Sequence, residues 1–243
     1  MSQYATVDSI LNRVAVELGF SESADPLTDT NKGFVQLKSL LNSAADELID
    51  MFNWSELIKE HTFTTSLGDS DYALPSDFRR MIPQTYWDRT NDNPVFGPLS
   101  PQKWQYLKGR DLADSSIYIS FRLKQREMHV FPDNPVIADL DIYFEYMSDL
   151  WLQDASVSTT YYNEVDAGDD IVLLPKTIIT KFLKVKWLEA KGFDSTKARE
   201  DFAVNFFTAT GASQDAPILN AGGTKGYPYI DIDRNLPDSN YGS

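Results

Sequence analysis

The first fifty residues carry apolar side chains at the three-to-four spacing of a helix. Val7, Ile10, Leu11, Val14 and Leu18 share one face of a helix predicted from Thr6 to Leu18, with Thr6 as its N-cap and Gly19 as its stop. A polar loop, "SESADPLTDT", leads to a second predicted helix from about Thr30 to Phe52. Its Phe34, Leu37, Leu41, Ala44, Leu48 and Met51 alternate steps of three and four, a seam suited to packing against another helix, and Trp54 follows its end. From His61 the period changes. "HTFTTS" alternates apolar and polar, "LGDSD" is a turn, and "YAL" is a short strand closed by Pro75, together read as a hairpin. Residues 91–101 are turn-rich, and Ile117 to Phe121 alternates again. "MHVF" and "DLDIYFEYM" read as a second hairpin around "PDNPVIA", with Ile142, Phe144 and Tyr146 on one side and Tyr143 and Glu145 on the other.

A stretch with Asp154, Glu164, Asp166, Asp169 and Asp170 and no intervening base precedes the short apolar run Ile171 to Leu174. Pro175 then opens a helix through "KTIITKFLKVKWLEAKGF", which breaks near Gly192 and resumes in "STKAREDFAVNFFTA". After Gly211 the composition turns to Gly, Asp, Asn, Pro and Tyr, the signature of an extended segment. The pattern predicts an α+β fold. Residues 1–60 and 172–210 form a helical layer, residues 61–171 an inserted β-rich module, and residues 211–243 an extended C-terminal arm.

The chain has 243 residues, room for one large domain or two small ones, and a formal net charge of −14. That sign argues against gripping DNA phosphates or anionic lipid, both of which need Lys and Arg. With no cysteine, disulfides and thiolate metal sites are excluded. "MSQYATVDSI" lacks the basic and apolar regions of a signal peptide, and no apolar run is long enough to span a membrane.

Local signs of catalysis are missing. His61 and His129 sit in strand-like patterns with no second His or Cys at metal-ligand spacing, so structural roles are expected of both. No G-x-S-x-G elbow is present. "AGGTKGYP" (Ala221 to Pro228) follows its Lys225 with Gly226, not Ser or Thr, and so is not a phosphate loop. "DIDRN" (Asp231 to Asn235) opens like a calcium loop but has Leu236 where glycine and Gly242 where glutamate are required. Neither catalytic, cofactor nor metal residues are therefore expected.

Interaction chemistry is better represented. In "DYALPSDFRRM" the "SDF" turn leaves Arg79 and Arg80 to anchor a carboxylate, on this chain or on a neighbour. Lys176, Lys181, Lys184, Lys186 and Lys191 make one helix the most basic part of an acidic chain. They read as a solvated face, or as a contact with an acidic neighbouring subunit or with passing DNA, in which Lys181 and Lys184 are the candidates. Tyr227, Tyr229, Ile230 and Ile232 make the arm apolar enough to lie along its own domain or to add a strand to a neighbouring protein.

The order of these pieces is itself informative. A helix ending in "FNW", a strand closing in "YALPSDFRRM", then "MHVFPDNP", "IYFEYMSDL" and "DDIVLLPKTIITKFLKVKWLEAKGFDSTKAREDF" resembles the head-to-tail adaptor proteins of tailed bacteriophages, especially the tail tubular protein A type. The resemblance covers roughly residues 30 to 210. It implies a non-enzymatic virion protein of the neck, assembled in the host cytoplasm. Such a protein docks as a dodecameric ring on the portal protein and meets a tail (nozzle or tail tubular) protein below, and genomic DNA passes its lumen without specific binding. Glycan-degrading activity in some relatives makes a tail-associated hydrolase the alternative.

Overall fold

The computed structural model describes residues 4–109, 119–132 and 139–213. In chain order the elements are β1 (Ala5–Thr6), α1 (Val7–Glu17), α2 (Lys32–Met51), β2 (Ile58–Thr64), β3 (Asp71–Ala73), β4 (Phe78–Met81), β5 (Trp87–Asp88), β6 (Asn93–Pro94), α3 (Pro101–Lys108), β7 (Ser120–Lys124), β8 (Glu127–Phe131), β9 (Asp141–Ser148), β10 (Leu152–Gln153), β11 (Tyr161–Tyr162), β12 (Ile171–Val172), α4 (Lys176–Lys191) and α5 (Thr196–Ser213). The fold is α+β, as the pattern predicts. The chain divides into two compact units, Met1–Phe206 and Phe207–Ser243. The described part of the second unit is the end of α5.

The helical layer follows from the apolar seams. Thr6 Oγ1 accepts from the Ser9 amide at 3.3 Å and caps α1, and Asn31 Oδ1 accepts from Gly33 at 2.9 Å and caps α2. Val7, Ile10, Leu11 and Val14 of α1 and Phe34, Leu37, Leu41, Ala44 and Leu48 of α2 are buried together with Ile178, Ile179, Phe182, Leu183 and Trp187 of α4. Met51, the last residue of the predicted seam, is exposed, because α2 ends there and the chain turns away. Gly192 stops α4 in the left-handed region at φ 72°, where a Cβ would be strained. After it α5 returns, and Phe202 stacks on Phe182 with centroids 4.7 Å apart. Trp54 closes this core. It is 3% exposed, donates from Nε1 to the Leu48 carbonyl at 2.7 Å, and meets Phe52 and Phe206 edge-on.

Two antiparallel sheets form the β module. In the larger, β9 is central: β2 pairs along one side from Ile58↔Met147 to Thr64↔Asp141, while β4 and β5 pair along the other. The second sheet has the order β3-β8-β7. Ile142, Phe144 and Tyr146 from the first and Phe121, Met128 and Val130 from the second share one core, and the alternation predicted for residues 142–146 holds. A small third sheet, β1-β12-β10-β11, joins the chain ahead of α1 to the chain ahead of α4. There the Asp8 carboxyl packs against Gly168, where any Cβ would lie 2.3 Å from its oxygens.

Both expected hairpins are replaced by other pairings. β3 pairs β8 rather than β2, and β8 pairs β7 rather than β9. The decisive turn is Gln125-Arg126, whose φ values of 55° and 63° are both positive, as a two-residue type I′ hairpin requires. Its residues are not the Asn-Gly pair that usually announces such a turn. The turn-rich segment is followed by a helix the pattern does not predict, α3, capped by Ser100 with Pro101 in its first turn and anchored by buried Trp104. At the other end α5 continues through Gly211 to Ser213, beyond the change in composition. The rest of the arm lies outside the described residues.

Replacing Trp54 by alanine should lower the free energy of unfolding by about 3–5 kcal/mol. Urea denaturation checks it, and an unchanged midpoint would contradict the placement of Trp54 in the core.

Candidate functional site

The stretch "PSDFRRM" joins the β module to the helical layer. Pro75 ends the approach to β4, and its carbonyl accepts from the Phe78 amide at 3.1 Å, so the turn over Ser76 and Asp77 closes through backbone atoms. The Asp77 side chain is thereby free for other partners. It is 12% exposed, and Oδ2 accepts from Lys59 Nζ of β2 at 2.7 Å and from Ser148 Oγ of β9 at 2.8 Å. Its Oδ1 accepts from the Tyr146 hydroxyl at 2.9 Å. Burial pushes the Asp77 carboxyl up, but the hydrogen bonds from Lys59, Ser148 and Tyr146 outweigh it and hold the group below the usual carboxylate range.

Adjacent strand residues ordinarily point to opposite faces. Arg79 and Arg80 do not, because the β4–β9 register slips between Phe78↔Ser148 and Arg80↔Met147. Arg79 is the extra residue of a bulge, and the bulge turns both guanidinium groups toward α2. Arg79 grips Asp50 through a fork, Nε to Oδ1 at 2.9 Å and Nη2 to Oδ2 at 2.6 Å, and reaches Asp46 Oδ1 at 3.2 Å. Asp46 and Asp50 are four residues apart and so lie on one face of α2. The Arg79 hydrogen bonds hold the Asp50 carboxyl below its ordinary range despite partial burial.

Arg80 acts differently. Its Nη2 donates to the carbonyls of Ile49 and Phe52 at 3.0 and 2.9 Å. No basic residue lies in the last turn of α2, so a strand far along the chain supplies the cap that its free carbonyls require. Nη1 is buried without a hydrogen-bond partner among the described residues, and burial pushes the Arg80 pKa down. The expected carboxylate anchor is thus local for Arg79. For Arg80 it is a pair of backbone carbonyls.

The lysines of α4 divide. Lys184 pairs with Glu17 of α1 at 3.1 Å and Lys186 with Glu47 of α2 at 2.5 Å, so both neutralise acids within the helical layer. Lys181 is half-buried and makes no ion pair among the described residues. Tyr227, Tyr229, Ile230 and Ile232 lie outside the described residues, as do "AGGTKGYP" and "DIDRN". His61 packs among Phe63, Phe144 and Tyr146, with centroids 5.3 Å from Phe144, and burial lowers its pKa, in keeping with a structural role. Asp71, Glu127 and His129 form the one group among the described residues whose donor atoms could surround a metal ion.

The sequence model of the SU10 adaptor protein family matches residues 5–217, from the start of β1 past the end of α5. The chain belongs to this family. No curated protein matches the chain. The SU10 adaptor description agrees with the likeness to phage head-to-tail adaptors drawn from the order of the elements, and it makes the chain a phage structural adaptor protein. Among the described residues of this SU10 adaptor no helix is long and apolar enough to cross a membrane. The arginine clamp, formed wholly within the matched span, fixes the relation between the adaptor's helical layer and its β module.

The Asp77 hub makes a pH prediction. A carboxyl whose folded pKa lies below its unfolded value, near 4, stabilises the fold above that value and loses this contribution as pH falls through the folded value. Asp77→Asn should therefore be clearly less stable than the parent at pH 6. The gap in urea midpoints should narrow toward pH 3; a gap constant over this range would contradict the role of the charge.

Proposed function

We propose that this SU10 adaptor protein docks as a dodecameric ring on the portal protein, joins it to the tail, and continues the channel through which DNA leaves. The observation that carries this reading is the family match across residues 5–217, which takes in every described element. In it the adaptor resides in the virion neck, is assembled in the host cytoplasm, and acts through shape, not catalysis. The likeness to the tail tubular protein A type supports the same placement.

Physical features support the reading. A ring closes through heterologous contacts repeated by a fixed rotation, which requires each copy to be rigid. The clamp and the Asp77 hub supply such rigidity between layers that share few elements. Stable contacts of this kind bury about 2,000 Å² or more. The arm after Ser213, with Tyr227, Tyr229, Ile230 and Ile232, is suited to lie along a neighbouring copy, and Lys181 is the α4 lysine offered to an acidic partner. A net charge of −14 favours a lumen that repels phosphate and lets DNA slide.

Mixing the adaptor with portal protein and imaging the particles by negative stain tests the proposal. Rings seated on one face of the portal are expected, with binding weakened in a chain truncated after Ser213. Absence of any complex in both imaging and sedimentation would overturn it.

A further inference from the structure

The β3-β8-β7 sheet brings together three side chains that the sequence separates. Asp71 on β3 stands opposite His129 on β8, and Ala73 stands opposite Glu127. Glu127 and His129 are two residues apart on one strand and so share a face. The result is an imidazole and two carboxylates on one surface of the sheet, on the side away from buried Met128 and Val130. His129 Nδ1 lies 2.5 Å from Asp71 Oδ1, and His129 Nε2 lies 3.9 Å from Glu127 Oε2 and 3.2 Å from the Lys124 carbonyl. One donor atom from each of the three residues lies within 4.8 Å of the others.

We infer that Asp71, Glu127 and His129 form a zinc site on the outer face of this sheet. Two ligands of one tetrahedral zinc are about 3.4 Å apart, given bond lengths near 2.0–2.1 Å. The Lys124 carbonyl takes Nε2–H at 3.2 Å, which leaves Nδ1 for the ion; the Asp71 contact of 2.5 Å at Nδ1 opens to that spacing, and Glu127, whose donor atom is within 4.8 Å of the others, swings in to it. The remaining adjustment falls on two carboxylates that are free to turn, with side chains 52% and 46% exposed. The histidine is held at 17% exposure by its strand and by the Lys124 carbonyl on Nε2. Water and metal therefore have access from the carboxylate side, and the imidazole is oriented before the ion arrives. A nitrogen donor with two carboxylates suits a borderline divalent ion better than Mg²⁺ or Ca²⁺, which prefer all-oxygen shells. Two carboxylates also match the charge of the ion, and the fourth position is left to water. The bound ion would pin the edge strand β3 to β8, where three residue pairs now hold it. Local spacing around His129 gives no hint of this, because Asp71 is 58 residues away.

Equilibrium dialysis of the full chain against ZnCl₂, paired with thermal unfolding, tests the site. One zinc per chain and a rise in the unfolding midpoint of roughly 3 °C at tenfold excess over Kd are expected. Mg²⁺ and Ca²⁺ at the same concentration should give neither. His129→Asn should weaken binding at least about tenfold. Glu127→Gln should do the same while leaving the Asp71–His129 contact in place, so a folding defect in one variant does not decide the matter. His61→Asn, which changes the other histidine, should bind as the parent does. Failure of the parent to bind zinc, or binding by the Glu127→Gln and His129→Asn proteins as tight as the parent's, would overturn the inference.

Discussion

One irregularity in one strand holds this adaptor together. The bulge at Arg79 places two guanidinium groups on the same side of β4, and both reach the end of α2. An exposed ion pair is worth at most about 1 kcal/mol, so the Arg79 fork alone would add little. Arg80 is the stronger member, because helix-end carbonyls left without donors in a partly buried setting cost about 1–3 kcal/mol each. Asp77, three residues before Arg80, binds β2 through Lys59 and β9 through Tyr146 and Ser148. Lys59 also lies over the Tyr161 ring at 5.1 Å, which extends the chain of contacts to the small sheet beneath α1 and α4. Residues 77 to 80 thus connect α2 to the β9 sheet and, through Lys59, to the small sheet.

For an adaptor this arrangement has a consequence. In the proposed ring, any slack between the parts of one copy would pass to the whole assembly. Loops could connect a helical layer to a β module, but they would not fix the angle between them. Side chains from a strand that cap a helix end do fix it, because carbonyl direction and fork geometry leave little freedom.

The helices were legible in the sequence because their information is local. Thr6, Asn31 and Gly192 sit where caps belong, and the apolar seams of α1, α2 and α4 are the buried faces. Within β9 the alternation of Ile142, Phe144 and Tyr146 was equally plain. Strand partners were not, because pairing is decided by contacts across long separations, and nearest neighbours in sequence were the wrong guess for β2, β3 and β8. Gln125 and Arg126 adopt positive φ without the residues that advertise it. The Arg79–Arg80 pair was visible as chemistry, yet its partners depended on a bulge that no periodicity reveals. Ser100-Pro101 ahead of Trp104 was a readable helix start that the surrounding turn residues concealed.

Hydrogen exchange read by mass spectrometry tests the clamp most directly. In the Arg79→Ala/Arg80→Ala protein, amides in the last turns of α2 and in β4 should exchange markedly faster than in the parent, while the buried faces of α1 and α4 keep their protection. Exchange unchanged at both the α2 terminus and β4 would contradict the claim that these two arginines hold the layers together.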